Sequence, residues 1–290
     1  MTRPVTVGVD GSPQSVAAAA WAGREAVRRD LPLRIVHAWQ WHSYDLAPTA
    51  DREAQAEWAR QMVLEARRTI AERHPRLTVG AEAREGAPAD TLVAEADAAE
   101  LLVLGSRGHG ALMGFLLGSV GRQVIAGSAG PVVLVRADDR AAPEAAGREI
   151  VVGQHGDPED GADALGFAFA TAAARGAAVR VVRAWSLPPV FAYSPGSLKL
   201  LDEAGGLEPY EREALQEALR PWRERFPSVP VTEHVEMGSA GEVLLSAAAG
   251  AQLVVVGRHA GRPMGPGVGS VAHALLHHAP CPVAVVPPAA

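Results

Sequence analysis

Short apolar runs alternate along this chain with longer stretches of helical period. Val5 to Val9, Leu33 to Trp39, Thr78 to Glu85, Leu101 to Leu104 and Val132 to Val135 read as strands. Between them, Ser15 to Arg29 sets Ala17, Ala18, Ala20 and Trp21 at helical spacing. Asp51 to Arg73 reads as a long helix with Glu and Arg on one face and Trp58, Met62, Leu64 and Ile70 towards the core. Shorter helices are predicted over Ala89 to Ala98 and Ser119 to Ala126. Such alternation predicts a parallel sheet with right-handed crossovers and helices on both faces. The unbroken apolar run Leu101 to Leu104 suits a strand covered on both sides.

The same order then returns. Ile150 to Gly153, Val179 to Trp185, Val231 to Met237, Leu253 to Val256 and Val283 to Val286 read as strands, with helices near Gly161 to Arg175, Glu208 to Phe226 and Glu242 to Ala249. Gly8-Val9-Asp10-Gly11-Ser12 aligns with Gly153-Gln154-His155-Gly156-Asp157, Arg34 to Trp39 with Arg180 to Trp185, and Gly118-Ser119-Val120 with Gly269-Ser270-Val271, at offsets of 145, 146 and 151. So steady an offset marks a tandem duplication. The expected domains are 1–137 and 149–290, joined by a linker over 138–148 that lacks apolar periodicity. A length of 290 residues fits two domains of about 150 each.

Composition narrows the classes. With 48% hydrophobic and 21% charged residues, the chain reads as globular rather than disordered. A formal charge of −6 gives no basic field for a nucleic acid backbone. No run reaches the about 18 apolar residues of a membrane span, and the amino-terminal residues enter a strand without the apolar core of a signal peptide. The single cysteine, Cys281, fits a reducing compartment and reads as a small buried apolar residue. A cytoplasmic protein without nucleic acid or membrane partners is expected.

In open parallel sheets a ligand sits beyond the carboxyl ends of the strands, where strand order reverses. There the first copy places Gly105-x2-Gly108-x9-Gly118-Ser119, directly after Leu104. Glycines let the backbone approach a ligand, and a helix opening at Ser119 adds unpaired amides and a positive dipole end, which suits phosphate. Ser119 is either a hydroxyl donor or the helix N-cap, and the two roles are compatible. Asp10 ends the first strand on the same rim. Its carboxylate either meets a ribose hydroxyl or a Mg²⁺-bound triphosphate, or serves as a cap and Asx-turn in Asp10-Gly11-Ser12-Pro13. Arg107, His109 and Arg122 read as phosphate partners or as solvated surface residues. The second copy has His155 in place of Asp10 and a loop one residue shorter, Gly257-x3-Gly261-x7-Gly269-Ser270. Arg258, His259 and Arg262 could hold an anion there, but an empty or structural pocket is expected. Hydrolase elbows, zinc signatures, a Walker loop and the dinucleotide fingerprint do not occur, and the adjacent His277-His278 splay on a helix. Trp39 and Trp185, equivalent in the two copies, read as shared packing.

With these residues in view, the chain resembles the universal stress protein family in its tandem form. The family's ATP signature, Gly-x2-Gly-x9-Gly-Ser/Thr, is matched at Gly105, Gly108, Gly118 and Ser119. Asp10, Val36-His37-Ala38 and the terminal Gly-Pro-Val-Val-Leu-Val strand match as well. The resemblance implies two Rossmann-like domains of the adenine nucleotide alpha hydrolase-like kind, each a five-stranded parallel sheet of order 3-2-1-4-5. It implies ATP held by the glycine loop and Asp10, with adenine near Gly8 and Ala38 and with Leu104 and Val120 lining the pocket; Val9, Arg107, His109 and a Mg²⁺ ion at Asp10 are expected beside them. It also implies an internal pseudo-dimer through the fifth strands, and homodimers. The function implied is an ATP-binding regulator of the stress response, against a slow Mg²⁺-dependent ATPase and a nucleotide-independent scaffold.

Overall fold

A computed structural model describes residues 2–41, 52–106, 118–136, 149–187, 206–258 and 268–289. Among them are ten strands and eight helices. The chain divides into two compact units: Met1–Pro143 with His259–Val268 and Pro282–Ala290, and Glu144–Arg258 with Gly269–Cys281.

The first unit holds β1 (Val5–Gly8), α1 (Pro13–Arg29), β2 (Leu33–Trp39), α2 (Arg52–Arg73), β3 (Val79–Glu85), α3 (Pro88–Ala98), β4 (Leu101–Ser106), α4 (Ser119–Gly127) and β5 (Val132–Arg136). Its strands run β3-β2-β1-β4-β5, the expected 3-2-1-4-5, all parallel. The register sets Val7 against Ile35 on one side and Val103 on the other. The last strand of the chain, β10 (Val283–Val286), also belongs to this unit and runs antiparallel to β5, Val283 opposite Leu134 and Val285 opposite Val132. This pairing covers an apolar strand that would otherwise present unpaired amides.

Sequence explains how α1 begins and ends. Ser12 is its N-cap, accepting from the Ser15 amide at 3.2 Å, and Pro13 fills the first helical position, where a missing N–H costs nothing. The helix therefore starts two residues before the expected Ser15. It closes on Asp30 in the left-handed region, φ 52°, whose N–H meets the Ala26 and Val27 carbonyls, with Arg28 and Arg29 in the final turn. The buried face of Ala17, Ala18, Trp21, Ala22 and Ala26 packs on β1, β4 and β5. Arg34 on β2 bridges Glu95 at 2.9 Å and Glu82 at 2.6 Å. Burial alone would lower its pKa, but hydrogen bonds and charge from these two carboxylates raise it.

One expectation fails on α2. The face turned to β2 and β3 carries Ala59, Val63 and Ile70, whereas Trp58 and Leu64 stand exposed. Small residues let the helix sit close to the sheet, so the bulkier apolar side chains lie outside the contact.

The second unit holds β6 (Ile150–Gly153), α5 (Ala162–Arg175), β7 (Val179–Trp185), α6 (Glu208–Arg225), β8 (Val231–Met237), α7 (Ala240–Ala248), β9 (Leu253–Gly257) and α8 (Ser270–His278). Its strands run β8-β7-β6-β9, parallel throughout, so the second copy repeats the first four positions of the order. Phe169, fully buried, stacks on Trp222 at 6.2 Å and meets Phe226 at 6.0 Å. Burial of such a ring contributes about 1.5–3 kcal/mol. Cys281 is buried, as expected. The expected linker 138–148 lies outside the described residues.

Candidate functional site

Because β1, β2 and β4 are parallel neighbours, their carboxyl ends share one rim of the sheet, and α1 begins there. The Val9 amide donates to the Val36 carbonyl at 2.9 Å, extending the sheet one residue past β1. Asp10 then turns outward, exposed. Its Oδ1 accepts from the Ser12 amide at 3.0 Å and from the Ser12 hydroxyl at 2.5 Å. Gly11 supplies the left-handed residue of this turn, φ 78°. The structural role foreseen for Asp10 is therefore real, and it leaves the carboxylate at the solvent edge of the rim.

His37 secures the turn from below. Only 7% exposed, it places Nδ1 2.7 Å from the Val9 carbonyl oxygen. A carbonyl only accepts, so Nδ1 carries the proton. The other side of the ring meets the edge of Trp58 at 5.7 Å between centroids and 79° between planes. Ala38, next on β2, is half-buried, and Trp39 is buried as packing.

Two of the glycines are dictated by close approach. A Cβ on Gly8 would fall 2.6 Å from Leu104 Cδ2. A Cβ on Gly105 would fall 2.6 Å from the Gln14 carbonyl carbon and 2.8 Å from the Ser15 nitrogen. The end of β4 thus lies directly against the first turn of α1, and only glycine permits that contact. Gly118 differs: a Cβ there meets nothing within 4 Å. It occupies the N-cap of α4 with Ser119 exposed in the first helical position, so the cap role foreseen for Ser119 falls to its neighbour. Val120 is half-buried and Arg122 exposed. Arg107, Gly108 and His109 lie outside the described residues.

In the second copy the turn after β6 is tied by the copy's own side chains. Arg183 stands where the first copy has His37, 8% exposed. Its Nη1 donates to the Gly156 carbonyl at 2.9 Å and to the buried Gln154 amide oxygen, and its Nε pairs with Glu211 on α6 at 2.6 Å. Gln154 in turn donates to the Asp157 carbonyl at 3.2 Å, and Asp160 accepts from the Asp157 amide at 3.0 Å. Sequence reading missed this network. Its signal was Arg183 between the apolar residues Val182 and Ala184 of β7, a guanidinium that must find partners when buried. Of the anion partners named for this copy, Arg258 lies at the end of β9, and His259 and Arg262 lie outside the described residues. His277 lies 4.2 Å, ring to ring, from His273 and 6.2 Å from His278. Among the described residues no group of three or more His, Cys, Asp or Glu is placed to hold a metal ion, and no helix is long and apolar enough to cross a membrane.

Repeated Rossmann-like α/β modules are the class of protein these features define. The chain belongs to the universal stress protein family, whose model matches residues 1–136 and again 147–287. Universal stress protein Rv2005c of Mycobacterium tuberculosis is 36% identical over 289 residues, covering 97% of this chain and 96% of the relative. A universal stress protein of Mycolicibacterium smegmatis is 35% identical over 298 residues, covering 98% and 97%. Among solved structures, a universal stress protein from Archaeoglobus fulgidus shares the fold at a TM-score of 0.70 and 18% identity, over 98% of each chain. The family and the α/β fold expected from the sequence are both borne out.

Proposed function

We propose that the first copy binds ATP, with Mg²⁺ approached by Asp10, and that this cytoplasmic protein uses the nucleotide to regulate a stress response. The observation that carries the reading is the asymmetry of the two rims. Where the first copy has the exposed Asp10 carboxylate the second has His155, and where the first has His37 the second has a buried guanidinium paired by Gln154, Gly156 and Glu211.

The residues of the first copy fit the nucleotide. Gly118 leaves open space at the amino end of α4, and Ser119 is exposed beside it. Backbone amides and the helix dipole there favour phosphate oxygens. Gly8, Val9, Ala38, Leu104, Gly105 and Val120 supply backbone and apolar surface for the nucleoside, and Arg107, Gly108 and His109 complete the glycine loop. Asp10 would hold Mg²⁺, which would offset the negative charge of the carboxylate and the phosphates. The antiparallel register of β10 on β5 supports an internal pseudo-dimer through the fifth strands, and a homodimer would need another surface.

Mass spectrometry of small molecules released from the denatured, freshly purified chain tests the reading. One adenine nucleotide per chain is expected. Two per chain would contradict the asymmetry, and no binding at millimolar ATP would contradict the assignment.

A further inference from the structure

Helix α8 turns Ala272, Leu275 and Leu276 inward and packs on α7 and β9. Its flank carries two imidazoles one helical turn apart. His273 is exposed and His277 half-buried, and their ring centroids stand 4.2 Å from each other with 46° between the planes. Residues four apart on a helix are surface neighbours, whereas His278, one position on, is turned about 100° away and lies 6.2 Å from His277. The backbone holds this spacing. The His273 amide donates to the Gly269 carbonyl at 2.9 Å and the Ala279 amide to the Leu275 carbonyl at 2.8 Å, closing the helix at both ends. Packing does not demand imidazoles here. At the same positions of the equivalent helix α4, the first copy has Arg122 and Ala126.

We propose that His273 and His277 together hold a borderline-soft divalent cation, Zn²⁺ or Ni²⁺, with water completing its shell. Imidazole nitrogens suit these ions, and histidines at i and i+4 on one helix face have the spacing by which helical pairs bind zinc. A shared ion sits about 2.0–2.1 Å from each nitrogen, which requires the two nitrogens within about 4 Å of one another. Rings already 4.2 Å apart meet that condition by side-chain rotation alone. The pair lies towards the carboxyl end of α8, where the helix dipole favours a cation, whereas Arg122 in the first copy would repel one. Mg²⁺ prefers oxygen ligands and is not the guest. Because the unfolded chain does not keep the rings together, the ion also stabilises the fold.

Calorimetric titration of the full chain with ZnCl₂ tests this on wild type, His273→Ala, His277→Ala and His278→Ala, with thermal melting beside it. Alanine suits a helix, so each variant should fold. Losing a ligand should cost at least as much as losing a ligand's hydrogen-bond partner, so His273→Ala and His277→Ala should each weaken Zn²⁺ by about 10-fold or more. Each should also lose the rise in melting temperature that Zn²⁺ gives the wild type. His278→Ala, outside the pair, should bind like wild type, and excess MgCl₂ should not compete. The proposal falls if every Zn²⁺ event is unchanged in either His273→Ala or His277→Ala, or if His278→Ala loses as much as they do. Competition by MgCl₂, or no binding by wild type up to about 1 mM Zn²⁺, would also overturn it. An ion held with nucleotide at Asp10 is untouched by these variants, so the two readings fail separately.

Discussion

Arg183 Nη1 lies 2.9 Å from the carbonyl oxygen of Gly156, at the strand position where the first copy sets His37 beneath Val9. The same place in the fold thus holds an imidazole in one copy and a paired guanidinium in the other. Arg183→Ala strips the buried Gln154 oxygen of a donor and leaves Glu211 without its partner. A loss of about 1–3 kcal/mol is expected, read from the urea midpoint. Nucleotide stoichiometry should stay unchanged, since His155 supplies no carboxylate.

Asp10 has two separable duties. Asn retains an oxygen that accepts from Ser12, so Asp10→Asn should keep the wild-type melting temperature while weakening Mg²⁺-dependent ATP binding. Asp10→Ala should lose the turn as well, costing about 0.5–2 kcal/mol as other local caps do. Differential scanning calorimetry beside titration with and without Mg²⁺ separates the two effects. Equal ATP affinity in wild type and Asp10→Asn would remove the carboxylate from the site.

Gly118 and Gly105 should respond in opposite ways. The fold has room for a side chain at Gly118, and its φ of −57° suits any residue, so Gly118→Val should melt like wild type and fail to bind ATP. Gly105→Ala drives a methyl into the α1 backbone and should destabilise by about 1–3 kcal/mol before any ligand is added. Gly269 is a poor control for the second copy, because its φ of 40° already strains any other residue. Ser270→Ala is the better choice and should leave ATP binding intact.

His74 gives a dependence on pH. Burial, with the charges of Arg24 and Arg73, holds its pKa below the ordinary value. The folded state therefore disfavours the protonated ring more than the unfolded chain does. Its contribution is complete above the usual histidine value of about 6.5 and is lost as pH falls through the folded value. Denaturant midpoints between pH 5 and 8 should decline on the acid side in wild type and decline less in His74→Gln.

Most of the architecture was legible because strand period and turn chemistry are local properties. The strands of both copies follow from apolar runs and the duplication, whereas the order of the first sheet was implied by the family resemblance. The facing of α2 was not legible, since Trp58 and Leu64 satisfy helical spacing as well as Ala59 and Val63 do, and only the closeness of the sheet decides between them. Gly8 and Gly105 were legible as positions that need glycine, but the fold gives each a packing reason, against Leu104 and against the first turn of α1. The Arg183 network was not, because Gln154 and Glu211 lie far from it in sequence and meet it only through the fold.

Strand β10 has a consequence for synthesis. Its residues emerge from the ribosome after those of the second unit, yet they complete the sheet of the first. Until β10 emerges, β5 is an open adhesive border. A chain stripped of β10 would therefore aggregate through its first copy.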